Sequence, residues 1–275
     1  MNIWLVNTFT KTPFKGNPAS VVIVEDFADD VKCIQLAKEL NQVETAFVKI
    51  ISNQKCHIRW FTPTSEVKMC GHATLAAAHI LWEEALIKEK SVTFDSLSGP
   101  LHVSQNQKGI TLHLPLQTIG APITDERFAK ILGVTPLSIV PVADDFIVEV
   151  ADAKIVRDLS FNIDALKEFN CRAVIVTSQG GYHNGTHYDF TSRLFAPGIG
   201  IPEDAVSGAA HCKLAKFWQG KTGKTNYLAF QASKRSGEIL IDIKEASIHI
   251  TGEAVTVFKG HFINNHEQKT IFYRG

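Results

Sequence analysis

One short pattern occurs twice in this chain, and it constrains the fold more than any other feature. Arg59-Trp60-Phe61-Thr62-Pro63 in the first half resembles Arg193-Leu194-Phe195-Ala196-Pro197 in the second. Each copy leads into a loop carrying an acid, then into a helix that starts on small residues, Gly71-His72-Ala73 and Gly208-Ala209-Ala210. Each helix carries a histidine in its first half (His79, His211) and a tryptophan further on (Trp82, Trp218). The arginines lie 134 residues apart and the glycines 137. A strand–loop–helix unit therefore recurs once per half-chain, which is the mark of a duplicated domain. Chance similarity between two buried helices is the plainer alternative, but five features keep their order.

The length of 275 residues suits two domains rather than one core. Between Leu114-Pro115 and Ala121-Pro122 the chain has two prolines, a glycine and little periodicity. The boundary is placed there, giving domains 1–118 and 119–275, with the last residues able to pack back on the first. Strand character is read over Asn2 to Phe9, Ala19 to Val24, Glu44 to Ile51, Cys56 to Phe61, Val92 to Asp95, Leu101 to Ser104 and Ile110 to Leu114. The second half adds strands at Ala173 to Thr177, His187 to Phe195, Ile239 to Ile243, Ser247 to Thr251 and Ala254 to Phe258. Helices are read over Asp29 to Leu40, Gly71 to Leu86 and Ser207 to Trp218. Two more follow caps at Thr124 and Asn162.

Composition removes several functions. Lys plus Arg equals Asp plus Glu, 28 each, so nothing marks a nucleic-acid binder or a polybasic membrane anchor. The five cysteines, an odd number without close pairing, do not form a disulfide framework and point to a reducing, cytoplasmic setting. There is no CxxC, no HExxH and no Cys/His pair at zinc spacing, so no metal is expected. The N-terminus lacks a basic stretch of the signal-peptide kind, and no apolar run is long enough to span a bilayer.

Helix starts expose backbone N–H groups and a partial positive charge. Two of them opening on glycine, one per domain, would suit a substrate carboxylate across a cleft; close packing is the plainer role for Gly71 and Gly208. Glu44 opens an otherwise apolar strand, Ala46-Phe47-Val48. A carboxylate there suits acid–base work, a role that calls for titration nearer neutrality than the ~4.3 of a free glutamate; an ordinary solvated strand end is the alternative. His72 sits in a first helical turn, where the dipole disfavours imidazolium, or simply hydrogen-bonds a loop. Asp204 is read either as a site acid or as an N-terminal charge. Cys70 is either a low-pKa thiolate at a helix start or a small buried residue. A cysteine hydrolase built on Cys70 and His72 is set aside, because near neighbours at a helix start point in different directions.

Gly16-Asn17-Pro18, Glu44-Thr45-Ala46-Phe47, Cys70-Gly71-His72-Ala73-Thr74, Phe195-Ala196-Pro197 and Glu203-Asp204-Ala205-Val206-Ser207-Gly208 together resemble the phenazine-biosynthesis isomerase-like (PhzF-like) family, in order, from near residue 1 to about residue 260. The resemblance implies a diaminopimelate-epimerase-like α/β (α+β) fold of two similar domains, each a curved, mainly antiparallel sheet around a central helix. It implies an isomerase without metal or organic cofactor, acting on a small carboxylate-bearing substrate, usually as a homodimer. Glu44 matches the family's proton-moving glutamate, and His72 and Asp204 match its helpers. Asn17, Gly71, Ala73, Ser207, Gly208 and Ala209 fall at substrate-binding positions. Two departures stand out. Ala209 lacks the hydroxyl of the phenazine enzyme's loop. Cys70 matches one catalytic cysteine of the related epimerases, while Ser207 stands at the second. A racemase needs an acid–base group on each face of the carbon, so that reading ranks second; a non-catalytic binding protein ranks third.

Overall fold

Runs of β-branched residues such as Ala19-Ser20-Val21-Val22-Ile23-Val24 favour extended backbone, and two all-small or all-apolar helical stretches need burial on every side. The solution is a set of strands around each such helix. The computed structural model describes residues 1–263. The described residues form two units, Met1–His113 with residues 251–263, and Leu114–Ile250.

The first unit holds β1 (Asn2–Thr8), β2 (Asn17–Val24), α1 (Asp30–Leu40), β3 (Thr45–Ser52), β4 (Lys55–Phe61), the two-residue β5 (Glu66–Val67), α2 (Gly71–Glu83), β6 (Ser91–Ser96), β7 (Gly99–Asn106) and β8 (Gly109–Pro115). β1–β2, β3–β4, β6–β7 and β7–β8 pair antiparallel, while β2–β3 and β4–β6 pair parallel. Helix α2 buries nine of its 13 residues, Ala76, Ala77 and Ala78 among them, against β1, β2 and β3. The alanines let the strands approach the helix backbone. Leu75, Ile80 and Leu81 are fully buried, each stabilising by about 1.5–3 kcal/mol.

The second unit holds α3 (Glu126–Leu132), β9 (Ser138–Val142), β10 (Asp145–Glu149), α4 (Ala153–Asp158), β11 (Ala173–Gln179), the small hairpin β12 (Tyr182–His183) and β13 (Thr186–His187), β14 (Phe190–Ala196), β15 (Ile201–Asp204), α5 (Gly208–Thr222), β16 (Asn226–Gln231), β17 (Gly237–Ile243) and β18 (Ser247–Gly252). Its pairings run antiparallel for β9–β10, parallel for β10–β11, antiparallel for β11–β14, parallel for β14–β16 and antiparallel for β16–β17. This repeats the order from β1 to β7, with β15 beside β14 as β5 is beside β4. The fold is thus a duplication with one buried helix per unit. The last strand, β19 (Ala254–His261), pairs antiparallel with β1.

Three sequence expectations need correction. Asp125, not Thr124, caps α3, its carboxylate accepting from the Arg127 backbone N–H; a carboxylate reaches that donor and also meets the Arg127 guanidinium. The helix expected after Asn162 is a 3₁₀ segment, Ile163–Phe169. The paired histidines and tryptophans are not equivalent either. Aligning the two helices on their caps, Cys70 and Ser207, sets His211 on Thr74 and Trp218 on Leu81. What the two positions share is a bond: Thr74 Oγ1 donates to the Cys70 carbonyl at 2.6 Å, and His211 Nδ1 lies 2.7 Å from the Ser207 carbonyl.

Helix α5 differs from α2 in burying a cation. Lys213 Nζ lies 2.5 Å from Oδ2 of Asp145, whose side chain is fully buried and which Arg172 also pairs. Removing one partner of such a buried pair costs about 3–5 kcal/mol, because the other charge is left stranded. Asp145→Ala is therefore expected to lower the urea midpoint by that equivalent at unchanged slope, and adding Lys213→Met should restore much of the loss. A single variant as stable as the parent would show that the pair carries no weight.

Candidate active site

The site begins with a turn. Gly16 has φ of +64°, and a Cβ there would fall 2.0 Å from the Thr8 carbonyl oxygen, so glycine is required. The turn delivers Asn17, which is 1% exposed, and the Thr8 hydroxyl donates to the Asn17 carbonyl at 3.0 Å. The next residue, Pro18, supplies its backbone as a hydrogen-bond partner for the His72 ring. The Asn17-Pro18 corner and the first turn of α2 are thereby joined.

Glu44 stands just before β3, its carbonyl accepting from the Ser20 N–H at 3.2 Å. Its Oε2 lies 3.4 Å from His72 Nε2, with Glu44 14% and His72 10% exposed at the side chain. At the other ring nitrogen, His72 Nδ1 lies 3.5 Å from Cys70 Sγ. Thiol, imidazole and carboxylate therefore form one compact cluster. Burial pushes the His72 pKa down to about 4, against the opposing pull of the Pro18 carbonyl, so the ring is neutral at physiological pH.

The cluster overturns the expectation that Cys70 and His72 point apart. Cys70 is the cap of α2 and has extended backbone, φ −143° and ψ 108°, so helical side-chain directions do not apply to it. A nucleophilic thiolate beside His72 still meets an obstacle, since the burial that keeps the ring neutral works against the imidazolium of such a pair.

Cys70 makes no side-chain cap bond to α2, and the first turn holds no acidic residue. A Cβ on Gly71 would meet only Leu112 Cδ1 at 3.6 Å, an ordinary contact. Packing therefore does not explain this glycine, while a helix start opening on Gly71, His72 and Ala73 suits an anion.

The second unit builds the corresponding loop differently. Ser207 Oγ accepts from the Ala210 N–H at 3.3 Å and so caps α5 itself. The buried Gln231 side chain accepts from the Ser207 N–H at 2.9 Å and donates to the Asp204 carbonyl at 2.8 Å. Ser233 Oγ donates to the Ala205 carbonyl at 2.5 Å. Gly208 is buried, and Asp204 and Ala209 are partly exposed. Asp204, Ser207, Gly208 and Ala209 thus share one braced loop, and Asn17, Glu44, Cys70, Gly71, His72 and Ala73 gather in the first unit.

Several braces escaped the sequence. Arg59 binds Glu66 through two nitrogens at 2.8 and 2.7 Å, and Arg193 binds Glu203 at 2.7 and 3.1 Å. Ser98 Oγ donates to the Lys68 carbonyl at 2.6 Å, as Ser233 does to Ala205. The repeated arginines were visible signals; their acidic partners, seven and ten residues on, were not assigned. One element is not duplicated. Thr45 faces Phe61 across β3–β4 as Val174 faces Phe195 across β11–β14, so the place of Glu44 is taken in the second unit by Ala173.

Comparison with known proteins agrees with the fold. The model of the phenazine biosynthesis-like protein family matches residues 6–260. A protein of Halalkalibacterium halodurans described as an uncharacterized isomerase is 38% identical over 263 residues, 95% of this chain and 98% of that one. The crystal structure of a PhzF-family protein from Enterococcus faecalis superposes with a TM-score of 0.87 at 33% identity, covering 95% of this chain and 99% of the other. A hydroxyproline epimerase of Agrobacterium vitis, 13% identical with a TM-score of 0.62 and covering 94% of this chain and 91% of that one, shares the fold. The chain belongs to the phenazine biosynthesis-like (PhzF-like) isomerase family.

Proposed function

We propose that this isomerase moves a proton between carbons of a small carboxylate-bearing molecule, with Glu44 as both base and acid. The observation that carries the reading is the 3.4 Å contact between Glu44 and a His72 held neutral. A shuttle must be ionised in one half of the cycle and protonated in the other. An imidazolium neighbour would lock the carboxylate as an anion, whereas a neutral ring leaves both states accessible. Glu44 takes a proton from one carbon, the electron pair is delocalised through the conjugated acid, and the same proton returns at another carbon. Nothing is consumed, so the scheme needs no redox cofactor.

Gly71, His72 and Ala73 would hold the substrate carboxylate with their backbone N–H groups, beside Asn17. Asp204, with Ser207, Gly208 and Ala209, is proposed to serve the same reaction as orienting groups. A cytoplasmic homodimer remains the proposed setting; the free cysteines support the compartment, and no helix among the described residues is long and apolar enough to cross a membrane.

The second reading, racemisation through Cys70, is favoured by the 3.5 Å contact of its thiol with His72. Against it, Ser207 is engaged as a helix cap. Incubation with cyclic and amino-acid carboxylates in D₂O, followed by NMR, separates the readings. The proposal expects a displaced double bond, with hydrogen or deuterium at the new carbon. Deuterium at a single inverted stereocentre, abolished by Cys70→Ser, would establish the racemase instead. A carboxylate that binds without isotope exchange or rearrangement would favour the binding-protein reading.

A further inference from the structure

We infer that Glu44, Cys70 and His72 form a binding site for a divalent cation of the zinc class, and that its occupancy switches off proton transfer. The second half of this inference rests on the function proposed above; the first half does not.

The donor set is the starting point. One carboxylate oxygen, one imidazole nitrogen and one thiol sulfur lie within 4.8 Å of one another, the only such group of three among the described residues. Oxygen, nitrogen and sulfur together suit zinc, whereas magnesium and calcium require oxygen throughout. Three protein ligands with a fourth place left for water is the usual arrangement of an open zinc site. The sequence anticipated no metal because no motif of adjacent ligands exists. Here the ligands come from the start of β3 and the start of α2, 26 and 28 residues apart, beyond the reach of motif spacing.

The geometry is close to what a cation needs. Zinc–ligand bonds of ~2.0–2.3 Å place tetrahedral ligands ~3.3–3.8 Å apart. The carboxylate–imidazole and thiol–imidazole contacts measure 3.4 and 3.5 Å. They use different nitrogens of the ring, so one ligand must reorient to share a nitrogen with the other. Glu44 has the rotatable bonds for that, and its side chain is 14% exposed, which also gives the ion a way in. The thiol must lose its proton to solvent when the metal binds, so affinity rises with pH. A cation held here takes the lone pairs that Glu44 would use to accept a proton.

Cobalt(II) reports the site directly. Added to the chelator-treated full-length protein, it should give the near-ultraviolet thiolate-to-cobalt band and the visible bands of four-coordinate cobalt at one equivalent per chain. Zinc should displace it, and affinity should increase from pH 6 to pH 8. Cys70→Ser should abolish the thiolate band and weaken zinc by more than the ~10–100-fold that loss of an outer-shell partner costs. Glu44→Gln should weaken zinc while keeping the band, and serves as the second variant should Cys70→Ser fold poorly. Absence of a thiolate band in the parent overturns the site, as does a band that persists in Cys70→Ser, which would belong to another cysteine. With a turned-over carboxylate in hand, zinc should suppress isotope exchange and chelator restore it; unaffected exchange at spectroscopic saturation overturns the switch. The cobalt spectra need no turnover, so failure of the proton-transfer reading leaves them intact, and their failure leaves that reading intact.

Discussion

Glu44→Gln should lower kcat by about 10²–10⁴-fold while leaving substrate affinity within a few-fold of the parent. Glutamine matches glutamate in size and remains polar, but it cannot accept a proton. The loss is that of general acid–base catalysis, equivalent to about 3–5 kcal/mol in the barrier. In the proposed mechanism the carboxylate acts on the reacting carbon rather than on the bound carboxylate, so the effect belongs in kcat and not in KM. Turnover retained within tenfold would remove Glu44 from the chemistry and move the search to Cys70. Loss of binding together with turnover would instead mark Glu44 as a structural partner of His72.

The second large effect is acid lability. His72 and His211 are both buried, and burial pushes each down to about 4 from an ordinary value near 6.5. A histidine with a depressed folded-state pKa binds its proton more readily in the unfolded chain. Stability from such a group is fully present above the unfolded value and is lost as pH falls from about 6.5 toward 4. Each ring contributes on the order of 3 kcal/mol over that window, a large share of a typical domain's stability. Urea unfolding should therefore be nearly constant from pH 8 to 7 and decline steeply from pH 6.5 to 4.5. Carboxylates held down by lysines, such as Asp26 and Glu84, lose their contribution only at lower pH. His211→Gln should flatten the second unit's part of the decline. A stability curve level from pH 7 to 4.5 would contradict the neutral assignment of both rings, and with it the reason given for Glu44's freedom to titrate.

Much of the scaffold could be read without coordinates. The strand pairs built on Val and Ile runs and the alanine-rich α2 come directly from local propensity and burial. The strands Ser138–Val142, Asp145–Glu149 and Asn226–Gln231 were not recognised. Their sequences carry Pro141, Asp145 and Asn226, residues that read as breakers, and only pairing with neighbouring strands holds them extended. The site divides the same way. Glu44, His72 and Asp204 could be named from motif order, but the cluster of Cys70, His72 and Glu44 depends on the extended backbone of Cys70. That is a conformational fact with no compositional mark. The Gln231 and Ser233 braces are likewise invisible, since a glutamine ending a strand and a serine just beyond it carry no spacing signal.

The substitution of Ala173 at the place of Glu44 has a stereochemical consequence. The scaffold is present twice, yet the position held by Glu44, the proposed proton carrier, in one unit is occupied by a methyl group in the other. A lone carrier can address a flat, delocalised intermediate only from the side on which it stands. On the proposed mechanism, departure and return of the proton would then be suprafacial, and the new carbon–hydrogen bond would point the same way in every turnover. A product with one handedness would follow from a duplication in which the framework was copied and the reactive group was kept on a single copy.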